Sequence, residues 1–297
     1  MHATRKLWTW LAVICVLSFA ALGWVGTEIY VSAPPIPKAV VSSKGDTLFA
    51  EGSVQRGQEA WLSAGGQQLG SVWGHGSYLA PDWSADWLHR EAVALREIRA
   101  QQQHGTAYVN LQAGQQAALD AELKAEMRRN THDAATNVIT LTVERAEAVK
   151  QVAKHYADLF GDEASLAGLR EQYAMLPGTL KLAEDREALS AFFFWSAWSA
   201  TTDRPGQAGL SYTSNWPHEP LVGNTPTAGT GIWSIASIIL MIGAIAAMIF
   251  FHSRHEESDP VPPRDDPLFS LKPTPSMLAT RKYFFVVIAL ILAQVGM

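Results

Sequence analysis

Apolar residues are arranged along this chain in two ways. Residues 7–27, 232–251 and 283–297 are strongly apolar and contain no Lys, Arg, Asp or Glu. Between the first two stretches the apolar positions are periodic. As helices at 1.5 Å per residue, the first two stretches reach roughly 31 and 30 Å, about the thickness of a bilayer core. The third reaches only about 22 Å. It has no flanking charge before Met297, and so reads as the start of a truncated span. The first stretch resembles a signal peptide in having Arg5 and Lys6 in front and Ser18-Phe19-Ala20 as a small-x-small step. However, its apolar run continues to Val25, longer than an h-region of about 7–15 residues, and Trp8, Trp10, Trp24 and Tyr30 flank its ends as interfacial anchors do. We read it as a retained helix.

The periodic region predicts a mainly α domain. Val40-Val41 and Leu48-Phe49, separated by Ser42-Ser43-Lys44-Gly45-Asp46, read as a short β-hairpin around a glycine turn. Helices are expected over 53–69, from Asp82 or Ser84 to about 101, over 112–129, from Thr142 to near 161, over 162–174 and over 184–200. Leu119, Leu123 and Met127 mark one buried face; Trp83, Trp87, Ala94, Leu95 and Ile98 mark another. The run Phe192-Phe193-Phe194-Trp195-Ser196-Ala197-Trp198 is apolar on every side, so this helix is expected to lie against something apolar, with the membrane part as its docking surface. Residues 201–231 are rich in Gly, Pro, Ser, Thr and Asn and read as a loop. The resulting organisation is a transmembrane helix in 1–30, an outer domain in 31–231, a second transmembrane helix in 232–251, a Pro-rich linker in 252–282 and the beginning of a third span in 283–297.

Charge orients this arrangement. Arg5 and Lys6 precede span one, and Arg254, Arg264, Lys272, Arg281 and Lys282 follow span two, so both flanks read as cytoplasmic. Residues 31–231 carry 16 Lys+Arg and 22 Asp+Glu, which suits a solvated domain on the outer, periplasmic side of a bacterial inner membrane. A chain that is 48% hydrophobic and 17% charged is not an ordinary soluble protein, where about 25% charged residues are usual. Its net charge of −5 argues against a nucleic-acid partner. The single cysteine, Cys15, excludes an internal disulfide, a CxxC redox pair and a CxxCH haem attachment.

None of the nine histidines shows a ligand spacing, and no HExxH, GxSxG, P-loop or GxGxxG is present. The densest concentration of unusual residues is Gly70-Ser71-Val72-Trp73-Gly74-His75-Gly76-Ser77-Tyr78-Leu79-Ala80-Pro81-Asp82-Trp83-Ser84-Ala85-Asp86-Trp87-Leu88-His89-Arg90-Glu91. Its glycines allow close backbone approach, and Gly76, His75 and Tyr78 bring carbonyl, imidazole and phenol groups into one short loop. A loop that only packs and caps the following helix has the same composition.

The stretch GSVWGHGSYLAPDWSADWLHREA closely resembles the signature of quinol-dependent, single-chain nitric oxide reductases of the haem-copper oxidase superfamily. The stretches AFFFWSAWSATT and YTSNWPHEPLVGNTPT are similar to that family in the same order. The resemblance implies a cytochrome c-like outer domain that has lost its haem, with Gly66-Gln67-Gln68-Leu69-Gly70 where CxxCH would fall. It implies reduction of NO to N2O with electrons from quinol. It places a Gly76 carbonyl and the Tyr78 phenol near a calcium ion or a haem propionate. In the family, haem b, haem b3 and a non-haem iron are held by His and Glu of later spans. This segment is then expected to anchor and cover a catalytic helical bundle of the same protein and to be inactive alone. Two other readings stay open: a two-span membrane sensor with an outer ligand-binding domain, and a short accessory subunit. A sensor requires a cytoplasmic signalling region, and an accessory subunit a complete third span.

Overall fold

A computed structural model of the protein describes residues 2–256, together with Ala279 and Tyr283. The Pro-rich linker and the third apolar stretch otherwise lie outside the described residues. The chain divides into two compact units, Met1–Trp233 and Ser234–Met297.

Helix α1 (His2–Val31) extends the expected 7–27 by about a turn at each end. Ser32 closes it, its N–H and hydroxyl both donating to the Glu28 carbonyl, and Pro34, Pro35 and Pro37 prevent continuation. The hairpin forms as expected from β1 (Ala39–Ser42) and β2 (Thr47–Phe49). Gly45 at φ 92° makes the turn possible, and the Ser42 hydroxyl accepts from the Lys44 and Asp46 amides.

Helix α2 (Ser53–Ser63) is shorter than expected. Gly65 at φ 120° and Gly66 at φ 55° turn the chain, and residues 66–69 continue as a 3-10 turn. Helix α3 (Trp83–His104) is capped by Asp82 and ended by Gly105 at φ 67°. Helix α4 (Ala113–Arg128) opens on a reciprocal Gln112–Gln115 capping box and buries Leu119, Leu123 and Met127 as the spacing predicts.

Strands β3 (His132–Asp133) and β4 (Val138–Leu141) are additions to the expected elements. They complete a four-stranded sheet of order β2-β1-β4-β3, in which β1 and β4 run parallel. Helix α5 (Val143–Phe160) starts on Thr142, whose hydroxyl accepts from the Arg145 amide. The helix expected over 162–174 is reduced to a 3-10 turn at 164–166 and α6 (Ala167–Gln172). There the buried Arg170 guanidinium donates to the carbonyls of Asp158, Leu159 and Glu163 and caps the end of α5.

Helix α7 (Ala183–Thr201) is central to the first unit. Every residue from Ala188 to Thr201 is buried, and the helix packs on α2, α3 and α5. The expectation that its apolar run docks on the membrane part is therefore overturned. The run is apolar all round because each side meets another helix of the same domain. Gly57 allows α2 its close approach: a Cβ there would stand 2.0 Å from the Ala188 carbonyl oxygen. Rings fill the rest of the core. Trp83 stacks on Phe193 at 5.5 Å and Trp87 on Tyr156 at 5.2 Å.

The stretch read as a loop contains a second hairpin, β5 (Asp203–Arg204) and β6 (Gln207–Ser211), and α8 (Ala228–Glu256) begins before the expected Ile232. Among the described residues, two segments, Trp8–Val31 and Gly231–Phe251, are long and apolar enough to cross a membrane. The protein is mainly α-helical, with short strands, as the sequence predicts.

Candidate functional site

The segment 70–91 forms a loop with a rigid base and an uncovered tip. Its base is the side chain of Asp82, 7% exposed, which serves two purposes. One carboxylate oxygen accepts from the Ala85 amide at 3.0 Å and from the Ser84 hydroxyl, capping α3. The other accepts from the Ser71 hydroxyl at 2.7 Å and the Gly74 amide at 2.7 Å, closing the loop. Ser71 passes the order on, since its hydroxyl accepts from the Gly76 amide at 2.7 Å. Backbone bonds from Trp83 N–H to Ser71 and from Ser77 N–H to Ala80 complete the frame. Indole groups fasten it to the domain: Trp73 Nε1 donates to the Ser196 carbonyl and Trp83 Nε1 to that of Leu69.

The tip follows from this frame. Gly76 has φ 81°, a turn that a side chain adopts only under strain. Tyr78 is fully exposed and Leu79 is 60% exposed. Among the described residues, neither the Gly76 carbonyl nor the Tyr78 phenol takes part in a hydrogen bond. His75 stays exposed and lies edge-on to Trp216 at 5.0 Å.

A second segment, 212–227, lies beside the loop. Trp216 Nε1 donates to the Gly74 carbonyl at 3.1 Å. Asn224, fully buried, accepts from the Glu219 amide and donates to the Ala200 and Pro217 carbonyls. Asn215 accepts from the Ser211 amide and donates to the Gly209 and Thr225 carbonyls. Glu219 reaches across to His89 Nδ1 at 3.1 Å. In the sequence this segment stands out only through its likeness to a family, which gives these residues no role. Buried amides in a loop rich in Gly and Pro are the signal available, because each must satisfy its own polar atoms.

The acidic and basic residues that follow the loop are structural. Glu91 and Arg145 form an ion pair at 2.7 Å with both side chains 1% exposed, and Glu91 also accepts from Trp87 Nε1. Asp86 accepts from Arg90 Nε at 2.7 Å and from the Tyr156 hydroxyl at 2.6 Å. Burial, reinforced by the Asp86 carboxylate, pushes the Tyr156 phenol well above its ordinary pKa. Burial, then the charge of Arg90, lowers the pKa of His155. Among the described residues no three His, Cys, Asp or Glu side chains gather as metal ligands do.

A c-type haem does not fit this domain. Residues 66–70 offer no thiol or imidazole, and Cys15 belongs to α1. A Cβ at Gly70 would stand 2.4 Å from Trp83 Nε1, so the indole already occupies the space beside that turn.

Residues 37–218 match the family model for the NorB cytochrome c-like domain of nitric oxide reductase. That span is more than half of the chain. The chain belongs to the NorB family of nitric oxide reductases. None of the curated proteins matches it. The family assignment accounts for a cytochrome c-like domain in a chain with two helices long and apolar enough to cross a membrane, and it does not favour a sensor. The matched span contains Gly76 and Tyr78 and ends at His218, inside the loop that braces Gly74.

Proposed function

We propose that this chain anchors and caps a quinol-dependent nitric oxide reductase on the outer face of the bacterial inner membrane. The assembled enzyme would join two NO, two electrons from quinol and two protons into N2O and water. The observation that carries this reading is the family match over residues 37–218, most of the outer domain and including the 70–91 loop. The membrane setting rests on the two apolar helices, and the orientation on Arg5 and Lys6 before one and Arg254 after the other.

Haem b, haem b3 and a non-haem iron would be held by residues other than the described ones, in the helical bundle that the outer domain covers. No step of NO reduction is therefore assigned to the described side chains. Their contribution is positional. The Asp82–Ser71 frame fixes the loop, and the loop presents two free oxygen groups, the Gly76 carbonyl and the Tyr78 phenol, at an uncovered tip. Such oxygens suit a hard cation such as calcium, or, for the phenol, a haem propionate. The other ligands would come from the bundle.

Tyr78→Phe in the assembled enzyme tests this role. The expected result is an altered haem absorption spectrum and a weaker response to calcium chelation, with the outer domain folded as before. An unchanged spectrum, turnover and chelation response would remove Tyr78 from the contact.

A further inference from the structure

A small cavity at the start of α5 is unrelated to the loop. It has a volume of about 30 Å³ and is lined by Glu126, Arg129, Thr131, Thr140, Leu141, Thr142 and Arg145. Thr142 is the N-cap of this 18-residue helix, so the helix presents its positive end there. Arg145 is 1% exposed; its Nε is spent on Glu91, and its Nη2 is buried without a partner. The Thr131 hydroxyl is also buried without a partner. A buried guanidinium N–H with nothing to donate to is costly.

The acceptors around the cavity are partly engaged. Glu126 lines it, but one of its oxygens accepts from Arg99 and the other from the Thr142 hydroxyl. The Leu141 carbonyl accepts from Ser43, and Thr140 N–H donates to Thr131. The groups without partners are Arg145 Nη2, which can only donate, and the Thr131 hydroxyl, which can donate or accept; Arg129, Arg145 and the helix N-terminus face Glu126, the Arg145 partner Glu91 and the first-turn Glu144. The occupant must accept a hydrogen bond from Arg145 Nη2, as an anion does. A cavity needs about 10–15 Å³ to hold one water, so this one has room for an ion of chloride size.

We propose that this cavity is a halide site, filled by chloride held between Arg145 Nη2 and the Thr131 hydroxyl, and that the ion locks the β4–α5 junction to α4. The ion would bind only the folded state, so stability should follow chloride by mass action.

The test uses the full chain in detergent, with thermal unfolding followed by tryptophan fluorescence at fixed ionic strength while gluconate replaces chloride. The midpoint should rise by roughly 3–5 °C for each tenfold increase in chloride above its Kd. Thr131→Val should fold and lose most of that dependence. Equal midpoints in chloride and gluconate would overturn the proposal, as would an undiminished dependence in Thr131→Val. Crystals of the unaltered chain grown in bromide provide a measurement that needs no variant. Anomalous density beside Arg145 Nη2 is expected, and a water-sized peak without anomalous signal would overturn the ion.

Discussion

Replacing Asp82 by alanine removes four hydrogen bonds at one buried position. The cap on α3 is lost, worth about 1 kcal/mol. The Ser71 hydroxyl and Gly74 N–H lose a carboxylate acceptor at 2.7 Å each, and bonds to charged groups contribute about 1.5–3 kcal/mol apiece. These losses overlap, since Ser71 and Ser84 can rotate, so we expect about 3–5 kcal/mol in all. For a domain of this size that lowers the Tm by roughly 10 °C. Asp82→Asn keeps one acceptor and the cap, but sets an NH2 group against one pair of donors, and should lose about 1–2 kcal/mol. The assay is thermal unfolding of the detergent-solubilised chain by near-UV circular dichroism, paired with amide exchange at Gly74 and Gly76. The expected order of stability is Asp82, then Asn, then Ala, with faster exchange at both glycines. If both variants lie within about 0.5 kcal/mol of the parent, the loop is held by something other than Asp82.

Three further outcomes follow from the core. Glu91→Leu alone should cost about 3–5 kcal/mol by leaving Arg145 buried without its carboxylate, and Glu91→Leu with Arg145→Leu should recover most of it; additive losses in the cycle would contradict the pairing. Gly57→Ala should lower stability by about 3 kcal/mol, because the new methyl meets Ala188 backbone that cannot swing aside; an unchanged melting curve would show that α2 is free to move away from α7. The pKa of His155 is depressed in the folded state, so the unfolded chain takes up its proton first as pH falls. The stability present above the ordinary histidine pKa of about 6.5 should therefore decline from there down to the folded value. His155→Gln should flatten this part of the pH–Tm curve, and a curve equally steep in both proteins would assign the proton elsewhere.

Local signals in the sequence carry much of the fold. The caps at Asp82 and Thr142 mark true helix starts, and Leu119, Leu123 and Met127 share one buried face because their spacing leaves no other arrangement. The β1–β2 hairpin is legible because its turn needs Gly45. Strands β3 and β4 leave no local trace because they are two and four residues long, and β4 pairs with a β1 that lies about a hundred residues earlier. The polarity of α7 shows that it is covered but not by what: three helices of its own domain bury it, a long-range fact that no local pattern holds. The site is half legible. The composition of 70–91 singles out the loop, and the roles of Ser71 and Trp216 and the second, loop-closing use of Asp82 emerge only in the fold.

The most direct test of the account is to purify the protein that carries this chain from its own membranes and to measure N2O formed from NO with a reduced quinol, alongside a reduced-minus-oxidised haem spectrum. The expected result is b-type haem and quinol-driven N2O production that copurify with the chain. A pure, folded preparation with neither haem nor NO turnover would contradict its place in a nitric oxide reductase.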